Sequence, residues 1–165
     1  MEVRSATATD RGLIWALNGI PHIGATGDPS FPELTSRDTP PREFPDLANV
    51  PDSFLSAGGN FFVVEEDGRL VGMGGYKRTG DDEAQVFRVR IHPAMRRRGV
   101  GRQLMAAIEA AAVESGVARM VLGTADNQPE AIAFYESIGY RRTRIESRSE
   151  WTWKLVWFER ELILA

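Results

Sequence analysis

Residues 91–101 read IHPAMRRRGVG, and this stretch decides the fold. Upstream of it, residues 84–92 (AQVFRVRIH) have the composition of a strand that ends at Pro93. Downstream, Gly99 to Ser115 sets Leu104, Ile108 and Ala111 or Ala112 on one face of an amphipathic helix, which Gly116 ends. A strand, a short turn and a helix start therefore follow one another. The first N–H groups of a helix have no intrahelical partner and lie at the positive end of its dipole, so they bind anions. Gly99 and Gly101 let the backbone come close to a bulky pyrophosphate. Arg96, Arg97 and Arg98 add charge at the same place. The spacing lacks the G-K-[ST] of a P-loop and the G-x-G-x-x-G of a dinucleotide fold.

Working outward, residues 60–66 (NFFVVEE) and 69–77 (RLVGMGGYK) predict a hairpin around Asp67-Gly68. Residues 118–124 predict a buried strand, and 129–137 a helix with proline in its first turn, stopped near Gly139. Strands are expected at 140–146 and 151–163. At the other end, Met1 to Ala6 reads as a strand, Thr7 and Asp10 as a capping box, and the helix they open runs to about Asn18. A helix joining the strands at 84–92 and 118–124 requires a parallel pair with a right-handed crossover. Between Gly19 and Ser56, prolines at 21, 29, 32, 40, 41, 45 and 51 leave little room for regular structure. The apolar residues of that segment argue against disorder. It reads either as a binding loop or as a surface insertion.

The 165 residues suffice for one domain, 1–165, with its own core. The chain has no cysteine, which excludes disulfides, thiolate zinc sites and a cysteine nucleophile. A net charge of −3 argues against nucleic-acid binding by counterion release. No apolar run approaches a membrane span and the start lacks the features of a signal peptide, so a cytoplasmic protein without a membrane partner is expected. His22 and His92 are too far apart in context to suggest a metal site, and none is expected.

The turn Arg96, Gly99, Gly101 resembles the acetyl-CoA motif [RQ]-x-x-G-x-[GA] of the GNAT superfamily of N-acetyltransferases. A second motif follows at the expected distance: residues 127–140, NQPEAIAFYESIGY, resemble the family pattern N-x₃-A-x₂-[FL]-Y-E-x₂-G-[FY]. The resemblance runs from about Asn60 to Tyr140, and the first strand and helix also fit. It implies an α/β (α+β) fold with a mixed, mostly antiparallel sheet of six to seven strands, flanked by helices and opened in a V between central strands.

By the same resemblance, acetyl-CoA is the co-substrate. Its pyrophosphate would be held by backbone from Arg96 through Arg97, Arg98, Gly99, Val100 and Gly101 to Arg102. Its pantetheine arm would lie along Val89, Arg90 and Ile91, with Asn127, Ala131 and Phe134 completing the site. Tyr135 is implied as the acid that protonates the leaving thiolate. Many members carry a glutamate as general base where this chain has Gln85; Glu83, two residues earlier, is the nearest replacement, and otherwise water deprotonates the amine. Arg88 and Arg90 either line the acceptor side and favour a carboxylate-bearing amine, or lie on a solvated face.

The reading is an N-acetyltransferase acting on a small-molecule amine by direct attack in a ternary complex. Its alternatives are a protein acetyltransferase, acting on lysine or an N-terminal amine, and a non-catalytic CoA-binding sensor. Trp151, Trp153 and Trp157 read either as core or as part of a paired strand in a homodimer.

Overall fold

The computed structural model describes residues 1–20 and 28–162. Its strands are β1 (Glu2–Ser5), β2 (Asn60–Glu66), β3 (Arg69–Arg78), β4 (Glu83–Ile91), β5 (Arg119–Ala125), β6 (Arg141–Glu146) and β7 (Leu155–Glu161). They form one seven-stranded sheet in the order β1-β2-β3-β4-β5-β7-β6. Only the β4/β5 pair is parallel. The helices are α1 (Arg11–Asn18), the single turn α2 (Asp52–Leu55), α3 (Val100–Glu114) and α4 (Pro129–Ser137). None of the described helices is long and apolar enough to cross a membrane.

Local chemistry explains the joints. Asp67 and Gly68 take φ of 51° and 76°, so the β2/β3 hairpin closes through a turn with two left-handed residues, which matches the strand twist. Thr7 N–H donates to Asp10 Oδ2 at 2.8 Å, anchoring the entry to α1. Arg4 grips the same carboxylate with Nη1 and Nη2, each at 2.8 Å.

Alternation along the strands sends side chains to two cores. In β2, Phe62 and Val64 join α3, β5 and β7, whereas Phe61 and Val63 join α1 and the 44–54 stretch. That second core shows how the proline-rich segment, where little regular structure is expected, is held by its apolar residues and two short regular pieces. Residues 45–47 form a 3₁₀ turn with Pro45 in its first position, α2 follows, and Leu47, Val50 and Phe54 are wholly buried. Their spacing faces the sheet, and burying each contributes about 1.5–3 kcal/mol, which outweighs the reluctance of prolines to form helix.

The last strand also begins later than its composition suggests. Trp151 to Lys154 is irregular and bent, and Trp151 and Trp153 stack there at 4.4 Å. Lys154 N–H is tied to Asp126 Oδ1 at 3.0 Å.

Candidate active site

β4 and β5 pair only from Glu83↔Arg119 through Gln85↔Val121, and beyond Gln85 they part. β5 stays paired with β7 along its whole length, so the departure opens a V on the β4 side. Backbone groups of β4 from Val86 onward therefore face a gap instead of a neighbouring strand.

β4 is bulged at that gap. Met73 pairs with Arg90 and Gly75 with Phe87, so Arg88 and Val89 together stand opposite Gly74. Arg88 has φ of 60°, a conformation a non-glycine residue adopts only under local constraint. The extra residue resets the alternation. Val86 packs in the α3 core and Phe87 in the α1 core, while Val89 and Ile91 return to the α3 side. Arg90, paired with Met73 of the α1 core, faces the side opposite to them. A regular strand would have grouped Phe87 with Val89 and Ile91.

On the α3 side lies a groove of about 680 Å³. Val89 and Ile91 form its floor, residues 95–97 and 99–102 one wall, and Gln128 to Tyr135 most of the other. Gly99 caps α3 with φ of 81°, and Arg97 is also left-handed at 63°. The first helical bond there runs from Gln103 N–H to Gly99 O, at 3.1 Å, so the donors of Val100, Gly101 and Arg102 precede the ladder. A Cβ on Gly101 would lie 3.1 Å from the Phe134 ring, so the two motifs meet closely enough that any side chain there would push the ring aside. Arg96, Arg97 and Arg102 line the groove against a single acid, Glu130, which Arg97 Nη2 reaches at 3.1 Å across the opening. Both members of that pair are well exposed, so it is weak and readily exchanged for a ligand anion. Volume, bare helix start and excess positive charge fit a long phosphorylated ligand.

Tyr135 closes the groove from α4. It is buried against Phe134, Tyr140 and Phe158, with ring separations of 5.2, 6.0 and 6.4 Å. Burial pushes its phenol up to about 12, and the nearby Arg90 guanidinium opposes that rise.

Besides Arg90, three expected site residues stand away from the groove. Glu83 lies at the closed end of β4, where Arg119 donates to Oε2 from Nε and Nη2 at 3.0 and 2.6 Å and Thr79 donates to Oε1 at 2.9 Å. Those bonds hold its carboxyl below the usual range, the Arg119 bond most of all, which is the opposite of what a general base needs. Arg98 turns away toward Met95 Sδ and a separate cavity beside Glu66 to Val71. Asn127 is exposed in the β5–α4 turn and its neighbour Gln128 lines the groove instead. The remaining expected residues, Arg90 apart, line the groove together.

On the opposite side of the gap, Arg88 meets residues that no local pattern linked to it. Its guanidinium lies 4.4 Å over the Phe44 ring and 3.3 Å from Asp46, and Lys77 Nζ is also 3.3 Å from Asp46. Farther along, His92 Nε2 lies 2.8 Å from Pro32 O, and its Nδ1 accepts from Ala94 N–H. His92 thereby ties the 28–32 stretch to the turn before α3. His22 lies outside the described residues. Among those residues no group of three or more metal-ligating side chains stands together.

Residues 28–140 match the model of the Acetyltransferase (GNAT) family. "N-acetyltransferase family 8 member 2" of Rattus norvegicus is 30% identical over 103 residues, which are 59% of this chain and 46% of that protein. The chain spans about half the length of the curated relatives it matches. An acetyltransferase of the GNAT family from Staphylococcus aureus Mu50 superposes with a TM-score of 0.77 at 18% identity, covering 98% of this chain and 99% of that one. An aminoglycoside 6'-N-acetyltransferase solved with coenzyme A superposes with a TM-score of 0.74 at 14% identity, covering 100% and 99%. At such identities these structures speak for the fold.

Proposed function

Because the chain belongs to the GNAT family of acetyltransferases, we propose that it moves an acetyl group from acetyl-CoA to the primary amine of a small molecule, both bound at once. The observation that carries this reading is the meeting of Gly101 with Phe134, which shapes one groove from the bare start of α3 to Tyr135. When bound, acetyl-CoA supplies the acetyl group as a thioester, so that a C–N bond forms as the C–S bond breaks.

In this reading Val100, Gly101 and Arg102 hold the pyrophosphate through their N–H groups, aided by Arg96 and Arg97. The unpaired edge of β4 at Val89 to Ile91 receives the pantetheine arm, and an N–H there polarises the acyl carbonyl. Ala131 and Phe134 form the apolar wall opposite. Tyr135 gives its proton to the leaving sulfur. A phenol near 12 is a weak acid toward a thiolate in water, but the same dry gap raises the thiol as well, so the transfer is less uphill than the phenol alone implies. With Glu83 committed to Arg119, the amine loses its proton to water, and proximity supplies most of the rate.

The acceptor enters from the α1 side, past Phe44, Asp46 and Arg88. Phe44, Asp46 and Arg88 hold one another there, and His92 holds Pro32 beside the turn before α3, so in this reading loop residues cover that side, which favours a small amine over an extended protein segment. Thiol release with acetyl-CoA and matched panels of small amines and lysine peptides tests this. Faster turnover of the peptides would replace the small-molecule reading with protein acetylation.

A further inference from the structure

We infer that the acceptor is an amine bearing a carboxylate close to the reacting nitrogen, as in an amino acid, and that Arg90 is the residue that receives the carboxylate. The inference rests on the acetyl-transfer reading and adds the substrate class.

The bulge aims Arg90. Opposite Met73, it faces the α1 side of the gap, away from Val89 and Ile91, which line the groove assigned to the donor. Its Nε is buried without a hydrogen-bond partner. Nη1 turns back to its neighbour's carbonyl, Val89 O, at 3.1 Å. That leaves the Nε–Nη2 edge of the guanidinium, whose two parallel donors match the two oxygens of one carboxylate.

No acid among the described residues answers this cation. The one carboxylate beside the bulge, Asp46, is already shared by Lys77 and Arg88. Residues 21–27, PHIGATG, contain no acidic side chain. Burial above all, and then the like charges of Arg88 and Arg96, disfavour the charged guanidinium of Arg90. Burying a cation in such company is unfavourable unless an anion completes the site. Arg90 stands on the bulged strand between Val89 and Ile91, which line the groove that Tyr135 closes, so the anion would lie close to the atoms that react. An amine carried on the same small molecule is then held at the gap, and the separation of carboxylate from amine is limited to a few bonds.

The test compares free amino acids with their own primary amides as acceptors, by thiol release from acetyl-CoA. The acids should exceed the amides in kcat/KM by about 10- to 100-fold, the worth of a hydrogen bond to a charged group. In Arg90→Gln the ratio should fall to within about threefold of one, through a higher KM for the acids, and Arg90→Lys should restore part of it. A second measurement does not depend on turnover or on the variants: with CoA present, N-acetyl amino acids should raise the Tm of the unaltered protein and N-acetyl amino acid amides should not. Equal use of acids and amides, an acid preference that survives Arg90→Gln, or no difference in Tm would overturn the inference. Acetyl-CoA binding, followed by calorimetry in the same samples, separates these outcomes: its absence refutes the donor reading itself, whereas equal acids and amides with the donor bound refute only the role of Arg90.

Discussion

The Phe134 ring stands 3.1 Å from the point where a side chain on Gly101 would begin, so the start of α3 and the middle of α4 approach each other more closely than a side chain at residue 101 would comfortably allow. Gly101→Ala should fold, displace the ring by a few tenths of an ångström and weaken acetyl-CoA binding several-fold. Gly101→Glu puts bulk and negative charge at a site built for an anion, and calorimetry should show a loss of at least about 100-fold. Binding by the unaltered protein should weaken as salt is added, since arginines supply part of the grip. Normal affinity in a folded Gly101→Glu protein would remove the groove from the donor site.

Tyr135→Phe should retain acetyl-CoA and lower turnover by about 10- to 1000-fold, the range for a positioned acid. The pH dependence carries a second test. An acid must be protonated to act, and burial pushes this phenol up to about 12. Turnover should therefore show no alkaline fall from Tyr135 up to roughly pH 10, where an ordinary tyrosine would be half ionised. A fall near that pH in the unaltered enzyme, absent from Tyr135→Phe, would contradict the burial assigned to it.

Glu83→Gln should leave the pH profile of turnover in place and change its rate less than about threefold. Its bonds to Arg119 and Thr79 hold the carboxyl down, so whatever stability the pair contributes is present above the ordinary carboxylate pKa and is lost as pH falls through the lowered one. The pair is partly exposed, at 27% for Glu83 and 41% for Arg119, so solvent screens it and that contribution is small. Loss of an acid-side fall in rate in Glu83→Gln would instead make it the base.

Asp10 is the opposite case, buried and held by both Arg4 donors and by Thr7 N–H. Asp10→Asn should cost roughly 1–3 kcal/mol in urea unfolding, because charged bonds from Arg4 and Thr7 N–H are weakened while Arg4 keeps Glu65. The Arg4 bond above all lowers this carboxyl, so its stabilisation is complete above about pH 4 and fades as pH falls through the lowered value. The Tm of the unaltered protein should drop across that acid window more steeply than that of Asp10→Asn.

Leu47→Ala should destabilise the protein by about 2–5 kcal/mol, as for a wholly buried leucine. Phe31→Ala, in the partly exposed stretch against His92, should shift the Tm far less. Equal effects in thermal unfolding would mean that the two parts of the proline-rich segment are not divided into core and cover.

Much of this architecture was legible in the chain because its signals are local. Alternation in residues 60–66, the Asp67-Gly68 turn and the spacing of Leu104 with Ile108 each depend on a few neighbours, and the elements fall within a few residues of expectation. The two motifs likewise fixed which helix start and which tyrosine to compare, and these line one groove.

Tertiary structure alone decided the rest. The bulge sets Arg88 and Val89 together opposite Gly74 of another strand, and it reverses the face of Phe87 relative to Val89. Glu83 is occupied by Arg119, 36 residues away, and Arg88 by Asp46, 42 residues away. Leu47, Val50 and Phe54 become core because α1 and the sheet enclose them, not because their own sequence favours helix. Arg90 becomes a candidate for an anion only because every nearby acid is engaged elsewhere. Propensity and periodicity are summed over neighbours in sequence, whereas charge pairing, strand register and burial are settled between segments that meet only when the chain is folded.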